Sequence, residues 1–262
     1  MNHIFNLIKF TLYLLKAKTK HGIHSPFIYH FVADVLKDST AYPEYRLIRK
    51  TVKNLRRSRK VIRVADFGAS AGNDHQKNRT RTIGDIARKS PVSPKTGAKL
   101  FSMVRHYQPE YILELGTSFG ISTIYMALAN PTSKIHTIEG CTASAAIALN
   151  NFKQHCLNNI ELHQGEFDSQ LENVIGQLPR LDFVYIDGNH RKEPTLGYFN
   201  ACLEKVHNDT IMVFDDIHWS QGMEQAWKQI SAHNRVTASI DHFRFGIVFF
   251  RKELSRQHFV IR

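Results

Sequence analysis

The stretch from residue 111 to residue 140 restricts the fold of this chain more than any other. Tyr111 to Leu115 is a short apolar run of the kind a buried parallel strand needs. It passes directly into Gly116-Thr-Ser-Phe-Gly120, after which Ile121, Ile124, Tyr125 and Leu128 recur with helical spacing. Strand, glycine turn and helix open a nucleotide-type βαβ unit. A second strand, Lys134 to Ile138, ends in Glu139 and Gly140, about two dozen residues beyond Gly116. A carboxylate at that tip is placed to accept hydrogen bonds from a pair of ribose hydroxyls.

The turn is spaced E-x-G-x-x-x-G rather than G-x-G-x-x-G. Three close glycines bring a pyrophosphate onto a helix N-terminus. This turn lacks the middle one, and Glu114 would repel a diphosphate. A ligand with a positive charge and no phosphate suits it, and S-adenosylmethionine, with its sulfonium and ammonium, is such a ligand. The segment resembles motif I of class I S-adenosylmethionine-dependent methyltransferases, above all the catechol O-methyltransferase-like branch. The resemblance runs from about Tyr111 to Arg251 and implies a cofactor site of Glu114, Gly116, Thr117, Ser118, Gly120, Ser122, Glu139 and Gly140.

From Tyr111 onward strands and helices alternate. Strands are predicted at 111–115, 134–139, 159–164, 181–187, 210–215, 234–240 and 244–251, and helices at about 121–130, 142–157, 168–177, 194–206 and 220–232. Such alternation means parallel strands with right-handed crossovers. The last two strands are joined around Asp241 to Phe243, too short for a crossover, so they must be antiparallel. The expected architecture is a Rossmann-like α/β fold whose seven-stranded, mostly parallel sheet ends in an antiparallel strand. A basic helical extension or lid over residues 1–93 precedes this domain of residues 94–262.

Ligands in such sheets bind at the carboxyl ends of the strands. The third predicted strand ends in Gly165-Glu166-Phe167, where Glu166 and Phe167 suit an adenine ring. The fourth ends in D-G-N-H, with Asp187 and His190 as further cofactor contacts, and the fifth in D-D-I-H-W, with Asp215, Asp216, His218 and Trp219. Clustered carboxylates repel one another unless protonated or joined by a cation. Asp187, Asp215 and Asp216 therefore suit Mg²⁺ or another divalent ion. In the resembled branch, matching positions hold an Asp and an Asp-Asn pair around Mg²⁺; here the pair is Asp-Asp. Its general-base lysine has no clean counterpart, and His190, three residues past Asp187, is the preferred base, with His218 second. Asp187 completes the expected catalytic set.

Composition enters through charge. Residues 1–100 hold 21 Lys and Arg against 6 Asp and Glu, whereas residues 101–262 hold 14 against 17. The basic third, densest from Tyr45 to Arg63, suits nucleic acid, an anionic surface or a solvated face. Residues 4–15 read as an amphipathic helix that packs on the domain or on a second subunit, too short for a membrane span. His21, His24 and His30 match no compact metal motif. Val64 to Gly72 reads as a glycine-rich loop without a helix to serve it. Cys141, Cys156 and Cys202 form no C-x-x-C pair and read as packing residues of a reduced, cytoplasmic protein without a signal peptide. The expected activity is O-methylation of a small hydroxylated molecule, by a monomer or a homodimer. The alternatives are methylation of RNA or DNA, and a non-catalytic cofactor-binding domain.

Overall fold

The computed structural model describes residues 10–11, 13–19, 22–66, 77–89 and 92–262. The first full helix, α1 (Pro26–His30), is capped by the Ser25 hydroxyl and continues as a π-helical stretch over Phe31–Leu36. Helix α2 (Glu44–Arg57), strands β1 (Val61–Asp66) and β2 (Lys77–Thr82), and helices α3 (Ile83–Lys89) and α4 (Pro94–Tyr107) follow. Then come β3 (Tyr111–Leu115), α5 (Ile121–Ala129), β4 (Lys134–Glu139), α6 (Thr142–Gln154), β5 (Ile160–Gln164) and α7 (Phe167–Gln177). The chain closes with β6 (Leu181–Ile186), α8 (Lys192–Cys202), β7 (Val206–Asp215), α9 (Gln221–Ser231), β8 (Ala238–Asp241), β9 (Phe245–Phe249) and β10 (Gln257–Val260).

The sheet order is β10-β8-β9-β7-β6-β3-β4-β5. Every pairing is parallel except those of β9 with β7 and with β8. The α/β character, the five βα units and the closing antiparallel pair are as the sequence implies. The strand count is not. The sheet has eight strands, and the last is β10, which lies parallel to β8. Its segment, Q-H-F-V, follows a polar run and carries no alternation of its own. Only the open edge of β8, far away in sequence, makes it a strand.

A second difference lies in the basic region. The helix expected across 45–63 stops at Arg57, where Ser58 turns extended (ψ 126°). The β-branched run that follows pairs antiparallel with β2. The extension is thus not purely helical, and Val64 belongs to a strand rather than a loop. The glycine-rich residues 67–72, His21 and residues 4–9 lie outside the described residues. Cys141 and Cys202 are buried as expected, but Cys156 is exposed.

Both faces of the central strands are apolar, as a parallel sheet covered on both sides requires. One face carries Ile112, Ile135, Tyr185 and Val213, packed on Leu100 and Phe101 of α4 and Ile124 of α5. The other carries Leu115, Ile138, Val184 and Phe214, packed on Val174 of α7, Phe199 of α8 and Trp227 of α9. Helices α1 and α2 join the first layer through Ile28, Phe31 and Ile48. The Phe31 ring meets Phe249 of β9 edge-on, with centroids 4.9 Å apart. Phe10 and Tyr13 lie against Phe243, at 4.9 and 5.0 Å, and the Tyr13 hydroxyl donates to the carbonyl of Ile261. The described part of the first amphipathic segment therefore packs on the C-terminal strands. Among the described residues, no helix is long and apolar enough to cross a membrane.

Because Phe31 is 1% exposed and shared between α1 and the sheet, Phe31→Ala is expected to cost about 3–5 kcal/mol. Urea denaturation followed by circular dichroism should show one transition moved to lower urea. A separate early transition with the main one unmoved would show that α1 unfolds on its own.

Candidate cofactor and active site

From β3 the chain crosses to β4 and β5 on one side, then to β6 and β7 on the other. The loops after β3 and β6 diverge there and leave a crevice at the carboxyl edge of the sheet. They touch at its floor. A Cβ on Gly116 (φ +103°) would stand 2.1 Å from the carbonyl oxygen of Asp187, so only glycine fits. Gly120 (φ +79°) forms the N-cap of α5, and a Cβ there would collide with the Phe152 ring at 2.4 Å. Between these glycines lies a cavity walled by Thr117, Ser118 and Ser122 from the turn, Asp187 from across the crevice, and Val92, Phe119 and Ile121. Left-handed backbone clusters at these strand ends, at Ser118 (φ 49°), Asn189 (66°), His190 (42°) and Asp216 (50°).

Glu114 lies beneath the turn rather than on the cavity wall. It is 0% exposed and accepts from the hydroxyls of Ser122, Thr123 and Thr137, at 2.5, 2.5 and 2.7 Å. Burial raises its pKa, and the three hydroxyls oppose that shift. It shapes the turn instead of facing a ligand. Glu139 stands where the sequence places it, at the tip of β4. One carboxylate oxygen accepts the Ser118 N–H at 2.7 Å and the other the Cys141 N–H at 2.8 Å. Burial, partly offset by these two donors, raises its pKa as well. Gly140 follows, half-buried. Glu166 stands exposed at the N-cap position of α7, and Phe167 packs edge-on against Tyr198 and over Gly188.

Asp187, Asp215 and Asp216 gather at the ends of β6 and β7. Asp215 is buried, and its Oδ1 has no hydrogen-bond partner among the described residues. Burial, then Asp187 and Asp216, push its pKa well up. Burial and Asp216 push Asp187 up to about 7, against a hydrogen bond from the Tyr185 hydroxyl at 3.2 Å. The three carboxylates do not each bring an oxygen within 4.8 Å of the others. Arg244, a residue with no motif around it in the sequence, lies 3.7 Å from Asp216 and supplies a cationic partner. His190 Nε2 lies 3.6 Å from Asp187 Oδ1, so this pair does come together.

His218 is held elsewhere. Its Nδ1 lies 3.1 Å from Glu224 and its Nε2 2.9 Å from Asp241, while its ring stacks on Phe243. Burial alone would lower its pKa, but the two carboxylates outweigh burial and raise it. With both nitrogens engaged, His218 has no lone pair for the second-base role expected of it. Trp219, by contrast, is 60% exposed beside the acidic cluster, its backbone N–H donating to the Asp216 carbonyl.

Residues 113–217 match the profile of a methyltransferase domain family. A catechol O-methyltransferase of Niastella koreensis is 32% identical over 130 residues, covering 48% of this chain and 58% of that protein. The chain thus matches less than two thirds of that relative's length. The O-methyltransferase from Bacillus cereus in complex with SAH superposes with a TM-score of 0.57 at 20% identity, over 84% of this chain and 96% of that one. The O-methyltransferase TomG from Streptomyces achromogenes, in complex with SAM and involved in tomaymycin synthesis, gives 0.54 at 23% identity, over 62% and 82%. At these identities the superpositions show a shared fold.

His218 gains its carboxylate partners only on folding, so its folded pKa lies above its unfolded one. The stability it adds is complete below the unfolded value, near 6.5, and is lost as pH rises through the folded value. His218→Ala is expected to lower unfolding free energy by about 2 kcal/mol at pH 6 and by less at pH 9. Thermal melts across that range check it; an equal loss at both ends would contradict the assignment.

Proposed function

We propose that this chain is an S-adenosylmethionine-dependent O-methyltransferase acting on a small hydroxylated molecule. One observation carries the reading. At the switch point of the sheet, a glycine turn without phosphate-type spacing faces a cavity walled by Thr117, Ser118, Ser122 and Asp187, and the same Ser118 donates its backbone N–H to the Glu139 carboxylate. Each Glu139 oxygen accepts one backbone N–H and keeps a lone pair for a ribose hydroxyl. The turn from Gly116 to Ser122 would hold the methionine end, and Glu166 with Phe167 the adenine. The matched domain family and the relative named catechol O-methyltransferase support the same reading.

S-adenosylmethionine supplies an electrophilic methyl group on its sulfonium. The protein holds the acceptor oxygen in line with that carbon and keeps water out. Its hydroxyl proton passes to His190 Nε2, which Asp187 faces at 3.6 Å and would steady once the ring is charged. The buried, unpartnered Oδ1 of Asp215 and the oxygen-only donor set fit a hard divalent cation. Asp187, Asp215 and Asp216, whose oxygens do not all stand within 4.8 Å of one another, would have to draw together to hold Mg²⁺ or a similar ion, whose charge would lower the pKa of the acceptor hydroxyl. Trp219 offers an exposed ring against which an aromatic acceptor can lie. Nucleic acid is the alternative acceptor, favoured by the exposed basic face of α2, where Arg46, Arg49, Lys50 and Lys53 all reach solvent.

Calorimetric titration should show micromolar S-adenosylmethionine binding, weakened at least ~10-fold in Glu139→Ala. No binding with or without Mg²⁺ would sink the proposal. With a catechol-type acceptor, His190→Ala is expected to lower kcat by about 100-fold, and removing divalent ions with a chelator should lower it too. Trp219→Ala should instead raise KM for the acceptor several-fold, read from steady-state kinetics. A steep salt dependence of binding to RNA or DNA, absent for the small acceptor, would favour the nucleic-acid alternative.

A further inference from the structure

Away from the crevice, two histidines and a carboxylate meet on the outer strands of the sheet. His136 lies on β4, and Glu161 and His163 on the edge strand β5. His136 is in register with Glu161, and His163 lies two residues further along β5. The period of two puts all three side chains on one face. His136 Nδ1 and His163 Nε2 stand 3.0 Å apart with the rings nearly parallel. The Glu161 carboxylate faces both nitrogens, its Oε2 3.7 Å from His136 Nδ1 and its Oε1 3.7 Å from His163 Nε2.

A hydrogen-bonded histidine pair explains the 3.0 Å contact but not the carboxylate. At 3.7 Å, Glu161 is too far from either nitrogen for a hydrogen bond, yet it sits evenly between them. That is the spacing of ligands around an ion. A point about 2 Å from both nitrogens and from the carboxylate edge fits within this triangle, which matches zinc–nitrogen and zinc–oxygen bond lengths. Among the described residues, it is the one group of His, Cys, Asp and Glu whose ligand atoms close to within 4.8 Å. The imidazoles are mostly shielded, with side chains 11% exposed, whereas Glu161 is 62% exposed and leaves an entry path. The nearest cation, Lys134, has its own carboxylate, Glu110, at 3.6 Å.

We propose that His136, Glu161 and His163 form a binding site for a late first-row divalent metal ion, zinc by the chemistry of the donors. The site is distinct from the acidic cluster at the ends of β6 and β7. Nitrogen donors select this ion class, whereas the all-oxygen cluster suits Mg²⁺. Two strands supply the ligands, so the ion would pin the edge strand β5 to β4 just below Glu139 and Gly165.

The test uses untagged full-length protein stripped of metal with a chelator and titrated with Zn²⁺ against a chromophoric competitor, then with Co²⁺ while visible absorption is read. One Zn²⁺ per chain at micromolar Kd or tighter, and Co²⁺ bands typical of four- or five-coordination, are expected. His136→Gln and His163→Gln should each weaken binding at least ~10-fold. The exposed change Glu161→Gln should also weaken it while leaving the melting temperature of the metal-free protein unmoved. His106→Gln, an exposed histidine outside the group, should bind as the parent does. Zinc binding no tighter than about 100 µM, or equal affinity in the three variants and the parent, overturns the proposal. Glu139→Ala should leave zinc affinity intact, so failure of the cofactor site and failure of this site read separately.

Discussion

The carboxylate of Glu114 is the constraint on which the site rests. A charge with no exposure is tolerable only when its oxygens are satisfied, and here Ser122, Thr123 and Thr137 do so. Two of those hydroxyls come from the first turn of α5 and the third from β4. One buried group thereby fixes the strand, the turn, the helix and the next strand relative to one another. Thr117 extends the network by bonding Thr137. With the turn held from below, Gly116 can press against the Asp187 carbonyl from the side. The crevice between the loops after β3 and β6 therefore has fixed walls before any ligand enters.

The acidic ends of β6 and β7 work in the opposite sense. Burial and mutual repulsion raise the pKa values of Asp187 and Asp215, and one oxygen of Asp215 is left without a partner. Left-handed backbone at Asn189, His190 and Asp216 adds strain to the same loops. Fold stability alone would not select such an arrangement, and a ligand that relieves it has a large incentive to bind. Arg244, reaching over from the turn between β8 and β9, offsets part of the repulsion.

Helices α1 and α2 show how a charged region can still be part of the core. In α2 the exposed positions carry arginine and lysine, while Ile48 and Thr51 turn inward, so the basic charge is confined to one face. Phe27 of α1 and Phe31 of the π-helical stretch that continues it lie against Phe249, on the reversed strand β9. Net charge described the surface of this region; its few apolar side chains decided where it docks.

Much of this was legible in the chain itself, because the signals were local. Four apolar residues and one acid before a glycine, helical spacing after it and an acid at the next strand tip determine β3, α5 and Glu139 without help from the rest of the chain. The bounds of β3 follow the sequence pattern to the residue. Three things required the tertiary structure. Strand β10 exists because β8 offers an open edge, and no property of Q-H-F-V announces that. His218 resembles a catalytic base in sequence, yet Glu224 and Asp241 occupy both of its nitrogens. His136, Glu161 and His163 are unremarkable until strand register sets them side by side. Patterns of burial and turn chemistry act over a few residues and can be read from them; contacts between distant segments depend on packing the whole sheet.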